Sequence, residues 1–423
     1  MINLILFEIR KVFKSTFFRI LMLAFLLFLI TYYILVYTNT VHVENEVQQM
    51  EEFTDRQEQD LQEKRELLES AEGTEAEQLE EQIEFQKNML EEDKQEIEWH
   101  KEENWEALLQ PGIKREESAI ASMRYNNQTH TYTWQTLFTK ETFVAKSKWM
   151  IDKEVTPLLP VGSTTWITWY DQDINVQGAT PEEALQWNRE TADKYSSASI
   201  HYLDRLYGLM FSIFGAVFFL FLFGDVMTKE GLGRNGSIHL LQTQPIHRDK
   251  ILAGKFLAVG LLSFLILLGA VLFAVITGVI FDRFGDLAYP VMIYGEDRTF
   301  SLMGMGMFLL RAAGMFGMIL LFCYSMLFLF SIITKRMVLA LGVTLGVLYI
   351  GVTWSGEMIN SSIAHYLPFQ YFSVFDIMTN ELALTVENWD LTYANGMISL
   401  SVSSFLILLA TYGAWVVQYR RNG

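Results

Sequence analysis

Cysteine is nearly missing from this chain: its 423 residues carry one, Cys323, inside an apolar run. No disulfide can close within the chain, and a thiolate metal site is excluded. Cys323 therefore reads as a small packed residue. Histidine is sparse too, with seven in all. None falls in H-E-x-x-H; His239 and His247 are split by Pro245, and His365 stands alone, so no metal site is expected. The nucleophile signatures G-x-S-x-G and C-x-x-C are absent. So is G-x-x-x-x-G-K-[ST]: Gly254-Lys255 lacks the glycine-rich loop and is followed by Phe256, which leaves no cradle for phosphates. The chain is not expected to be an enzyme, nor to hold ATP or another cofactor itself. A basic stripe is also lacking. The formal net charge is −17, with the acid gathered near residues 44–103, so no nucleic-acid partner is expected.

What is present is apolar sequence in long runs. Crossing ~30 Å of hydrocarbon takes about 20 apolar residues in a helix. Six segments qualify: 17–37, 206–224, 254–281, 308–333, 337–353 and 397–417. The first, Phe17–Tyr37, is longer than a signal-peptide core and has no small-x-small cleavage site after it, so an uncleaved span is expected. The fold class expected is an all-α membrane protein with six transmembrane helices.

Basic residues orient the spans. Arg10, Lys11, Lys14 and Arg19 precede or open the first; Lys229, Arg234, Arg248, Lys250 and Lys255 lie between the second and third. Lys335 and Arg336 separate the fourth from the fifth, and Arg420 and Arg421 follow the sixth. All four clusters fall on one side if both termini are cytoplasmic, which is the topology expected in a bacterial plasma membrane. The connections 38–205, 282–300 and 354–396 are then external. Residues 1–16 form a cytoplasmic amphipathic segment, with Asn3, Glu8, Arg10, Lys11 and Lys14 on one arc of roughly 160°. One reading is a helix in the inner interface with Arg10, Lys11 and Lys14 on lipid phosphates. The other is the ragged start of the first span.

The external segment 38–205 divides in two. Residues 44–105 are acidic, rich in helix formers and free of proline, with a break at Gly73-Thr74. Ala76, Leu79, Ile83, Leu90 and Ile97 make a thin apolar seam that Gln86 and Asp93 interrupt; Val47, Met50, Leu61 and Leu68 match it more weakly. An antiparallel, coiled-coil-like hairpin turning at Gly73 fits this pattern, with arms of ~40 Å. A solitary charged helix or partial disorder is the alternative. Residues 106–205 are rich in Trp, Tyr and Thr, which suits a small core or membrane-surface contact. Thr180-Pro181-Glu182-Glu183 has a helix-start pattern, predicting a helix near 181–195.

The connection 225–253 differs from the spans it joins. Glycines and Asn235 predict a break, after which Ser237 can cap a short helix over Ile238–Gln244. Pro245 ends it, and a new helix begins near Asp249. Ile238, Leu241 and Leu240 give the short helix an apolar edge, which points to a partner or to packing on the chain's own bundle. Farther along, Arg311 in the fourth span reads either as an outer-interface residue or as one facing an internal path. Ala313 and Gly317 are spaced for close helix contact.

The run Glu230-Gly231, then Ser237-Ile238-x-Leu240-Leu241-x-Thr243-x-Pro245-Ile246-x-Arg248-x-Lys250-Ile251-x-x-Gly254-Lys255, resembles the cytoplasmic signature of ABC-2 type transporter permeases. A few extra residues separate its acidic-glycine pair from Ser237. Leu367–Met378, LPFQYFSVFDIM, is similar to the external segment before the last span of these permeases. The resemblance covers all six spans and the short N-terminal helix; the acidic block is an insertion. It implies two separate ATP-binding subunits, which carry ATP and Mg²⁺, and a second permease copy, identical or not. It also implies that the 225–253 loop holds a coupling helix docked on the ATPase. On that basis Ile238 and Leu241, with Leu240, would dock, Pro245 would stop the helix, and Glu230 would face the ATPase. Arg248 and Lys255 would anchor the third span at headgroups or at the partner. The function expected is export of an amphiphilic substrate, in keeping with resistance to antimicrobial peptides. The alternative is a mechanical transducer that relays ATPase motion to an external partner and transports nothing.

Overall fold

The computed structural model describes residues 2–129, 135–162, 166–173, 183, 194–226 and 248–422, and their side chains except at 75, 248, 249 and 418–422. The short helix expected over 238–244 lies outside the described residues, as does nearly all of the segment 181–195. The chain divides into two compact units: 1–35 with 197–287 and 291–423, and 36–196 with 288–290.

The first unit is a bundle of apolar helices. Helix α1, Ile2–Phe13, buries Leu4, Glu8 and Val12, one residue per turn. Helix α2, Thr16–Asn39, follows and runs on into the second unit. The second expected span is two pieces, α7, Ser199–Met210, and α8, Ile213–Phe223, bent by 77°. This corrects the straight span read over 206–224. The 11 residues of α8 reach only ~16 Å, half the hydrocarbon thickness. The bend lies where Ser212 is extended (φ −135°, ψ −177°), three residues before Gly215. Four long helices complete the unit: α9 Arg248–Phe281, α10 Met305–Thr334, α11 Met337–Glu357 and α14 Tyr393–Asn422. By length and composition, five helices can cross a membrane, or six if the bent pair counts as one.

α10 is the central helix. Its most apolar stretch is 67 % buried, against 22–33 % for the other candidate spans. Between lipid-soluble helices, packing and hydrogen bonds must supply the association, because lipid tails are as apolar as leucine. Phe211 and Phe316 stack at 4.5 Å, Phe322 meets Phe369 edge-on at 5.4 Å, and the Ser263 and Tyr324 hydroxyls pair at 2.6 Å.

The connections are more structured than their sequences suggest. Strands β1, Pro290–Tyr294, and β2, Phe300–Gly304, pair in a two-stranded sheet, so the fold is mainly rather than wholly α. Their turn is closed by Gly295 N–H donating to the Thr299 carbonyl at 2.8 Å. Residues 364–385 form two 3-10 turns and the short helices α12, Val374–Met378, and α13, Glu381–Thr385. They seat Phe375 against Phe308 of α10 at 5.0 Å. Tyr294 and Asn380 join the strand to this segment: Asn380 Nδ2 donates to the Tyr294 carbonyl at 2.9 Å.

The second unit starts with α3, Val43–Ser70, and α4, Thr74–Lys101, joined at Gly73 with φ +67°. Lys94 pairs with Glu58 and Lys101 with Glu51, so the helices run antiparallel. Val47, Thr54 and Leu61 are buried at seven-residue steps, as are Leu90 and Ile97. Gln86, the polar interruption of the seam, bridges to Lys64 at 2.9 Å and Asp60 at 2.7 Å. Helix α5, Trp105–Tyr125, packs Ile113, Ile120 and Met123 towards α6, Leu137–Asp152, which buries Phe138, Phe143 and Met150. Between them Lys140 and Glu116 form a part-buried pair at 2.6 Å.

Candidate functional site

The sequence-predicted docking residues Glu230, Ile238, Leu240, Leu241 and Pro245 lie outside the described residues. Arg248 opens α9, so the new helix starts one residue from its expected position; its side chain is outside the description. The described chain thus leaves off at Val226 and resumes at Arg248. Near these two ends lies a buried charged cluster.

At its centre is Lys255, two turns into α9. Its side chain is 1 % exposed and its Nζ lies 3.2 Å from Glu8 Oε1, which is itself fully buried. Lys255 Nζ also donates to the Val226 carbonyl at 3.1 Å. Lys11 Nζ, one turn along α1, donates to Glu8 Oε2 at 2.8 Å. A single carboxylate therefore gathers two ammonium groups. Taking such charges out of water costs several kcal/mol per ion, and only close pairing offsets it.

Shape serves the same contact. Leu4 and Glu8 are one turn apart on the buried stripe of α1. Leu4 rests on Gly254, where an added Cβ would lie 2.7 Å from Leu4 Cδ2. Glycine at 254 thus lets α1 lie close enough to α9 for Glu8 to reach Lys255. Beside it Ile251 is 1 % exposed.

Two expectations are corrected here. Lys255 does not reach outward to headgroups; the helix turns it inward onto Glu8. Glu8 does not share a solvent-facing arc with Arg10 and Lys14, which are exposed; it points the other way. Counting basic residues near span ends reports which side they are on, not which helix face they occupy. Arg10 and Lys14 are exposed, as are Ile2, Leu6 and Phe13. Lys11 divides its role, part-exposed yet bonded to Glu8.

Aromatic contacts link α2, α8 and α10. Phe18 of α2 lies 6.2 Å from Phe223 of α8, and Phe223 meets Tyr324 of α10 edge-on at 6.0 Å. Tyr324 and Ser263 then line an apolar groove of about 420 Å³ between α9 and α10, with Gly260, Gly317 and Phe264 among its walls. A second groove of about 290 Å³ lies between α2 and α9, with Phe25 and Ile266 in its lining. Arg311 is exposed and holds its guanidinium 5.9 Å from the Tyr393 ring centre. Among the described residues no group of His, Cys, Asp and Glu is placed to hold a metal ion.

A family model described as ABC-2 family transporter protein matches residues 2–421. The chain belongs to that family. The match runs from α1 through α14 and so includes both roots of the 227–247 connection and the Lys255 cluster. Comparisons with curated proteins and with solved structures give no match. Membership, together with several helices apolar enough to span, makes this ABC-2 protein a multi-pass membrane protein. It also implies association with an ABC ATP-binding subunit.

Proposed function

We propose that this ABC-2 protein is the permease subunit of an ATP-driven exporter in a bacterial plasma membrane, with both termini in the cytoplasm. Two permease copies, identical or not, work with two ATPase subunits that carry ATP and Mg²⁺. The observation that carries this reading is the family match over 2–421, which takes in the N-terminal helix, the loop roots and every candidate span. Residues 238–244 dock on the ATPase through Ile238, Leu240 and Leu241, Pro245 ends that helix, and Glu230 and Arg248 flank it. ATP binding favours one arrangement of the ATPase pair, and docking passes that bias to the spans. The apolar grooves beside α9 favour an amphiphilic substrate, such as an antimicrobial peptide. Residues 44–105 stand outside the cell as a coiled-coil-like hairpin.

The test is co-purification. Leu241→Asp puts a charge at the docking edge; it should abolish association with the ATPase while membrane insertion continues. Undiminished co-purification of this variant would remove the docking role.

A second reading is favoured by α3 and α4. Two 28-residue helices of ~40 Å each, tied to one another by ion pairs, suit transmission of force to an external partner. In that case nothing crosses the bilayer. Deleting 44–105 separates the two: a transducer loses all function, whereas an exporter keeps part of its transport.

A further inference from the structure

We infer that Glu8, Lys11, Lys255 and the Val226 carbonyl form a clasp that holds α1 and both roots of the 227–247 connection as one body. The inference rests on the reading that an ATPase bears on that connection. Val226 lies just beyond the end of α8 at Phe223, and α9 is the helix that begins at Arg248. Lys255 bonds to the first, belongs to the second and pairs with α1. A push that moved α9 alone would separate a fully buried ion contact, and one that moved Val226 alone would break the hydrogen bond to its carbonyl. Separation would strip the fully buried Glu8 carboxylate of one of its two ammonium partners, which is unfavourable. The N-terminal helix thus moves with the loop roots instead of staying in the lipid interface. Lys255 acts as a positioning residue, and Gly254 supplies the close approach that lets it do so.

The geometry supplies its own probe. A Cβ at Gly254 would lie 3.9 Å from Leu4 Cβ, within the range of about 3.5–4.5 Å that disulfides use. The native Cys323 is buried and does not compete. Full-length Leu4→Cys/Gly254→Cys protein in lipid nanodiscs should cross-link readily under mild oxidation. Adding Lys255→Met should slow cross-linking roughly tenfold, because α1 is no longer pinned. Adding Glu8→Gln as well should slow it little further, since the two residues act through one contact. This neutral pair also guards against a Lys255→Met chain that fails to fold. Cross-linking at an unchanged rate without Lys255 would overturn the clasp.

The second arm uses the complex with its ATPase. ATP with vanadate should alter hydrogen exchange in α10; Lys255→Met should lose that response, and the Leu4–Gly254 disulfide should restore it until reduced. If instead the disulfide blocks the response in protein that retains Lys255, the clasp opens during the cycle and the one-body inference is wrong. Lys255-dependent cross-linking in a chain that captures no ATPase would keep the clasp and defeat the transporter reading.

Discussion

The Met210 carbonyl occupies the space that a side chain at Gly215 would need: an added Cβ would lie 1.8 Å from that oxygen. Met210 ends α7 and Gly215 sits in the first turn of α8, so the 77° bend exists only with glycine at this place. Gly215→Ala must therefore open the bend and shift α8 off Phe316, whose ring is 3.2 Å from the same position. A cost on the order of 3 kcal/mol is expected, at the high end for a single substitution. Gly260→Ala and Gly269→Ala are the controls, because nothing lies within 4 Å of an added Cβ there. They should leave stability unchanged or raise it by up to ~1 kcal/mol through helix propensity. Thermal melting of the detergent-solubilised chain, read by the monodisperse fraction, distinguishes these outcomes.

The contrast between this bend and the long helices shows what sequence can and cannot reveal here. Hydropathy locates α9 and α10 because a span needs a long apolar run, and Pro245 places the start of α9 within a residue. It cannot locate the bend, since apolar residues continue through Phe211 and Ile213 as if the helix did. The turn at Gly73 is legible because its φ of +67° favours glycine. The strand pair at 290–304 is too short to show a clear period. At the candidate site, basic residues reveal a side of the membrane but not a helix face, which is why Lys255 and Glu8 read as surface charges. Their pairing spans 247 positions and depends on Gly254 admitting Leu4, a relation with no local periodic trace.

In the second unit Asp171 is wholly buried and satisfied by threonines. It accepts from the Thr136 N–H at 2.8 Å and hydroxyl at 2.9 Å, the Thr139 hydroxyl at 2.6 Å and the Thr168 N–H at 2.7 Å. Thr136 is also the N-cap of α6, so one carboxylate fixes that helix start and the 168–171 turn together. Asp171→Asn replaces an acceptor oxygen with an NH₂ that faces donors. We expect a loss of ~2–4 kcal/mol in the stability of this unit. Limited trypsin digestion should then cut at Lys153 several-fold faster, while Thr168→Ser, which keeps the hydroxyl, should digest as the unchanged chain does. Equal cutting of Asp171→Asn would show that the knot does not hold the segment.

Lys146 and Lys194 approach the same indole, with Nζ atoms 4.1 Å and 5.0 Å from the Trp166 ring centre. Burial, and then the Lys194 ammonium, lowers the Lys146 amine to about 7; burial lowers Lys194 to about 8. At pH 7 far more of Lys146 is therefore neutral and nucleophilic than of an ordinary lysine, which is neutral in roughly 0.04 % of molecules. A limiting dose of acetic anhydride at pH 7 should modify part-exposed Lys146 ahead of exposed lysines such as Lys87, as peptide mass spectrometry would read. The sign for stability follows from linkage: between about pH 7 and the unfolded value near ~10.4 the unfolded chain binds more protons, so stability rises with pH across that window. The contribution is complete above the unfolded value and is lost as pH falls through the folded one. Lys146→Met removes a part-buried cation that sits beside a second ammonium, so it should stabilise this unit at pH 7, with a gain that shrinks towards pH 10. Acetylation of Lys146 no faster than Lys87, or a gain that is flat with pH, would mean that this amine stays charged beside Trp166.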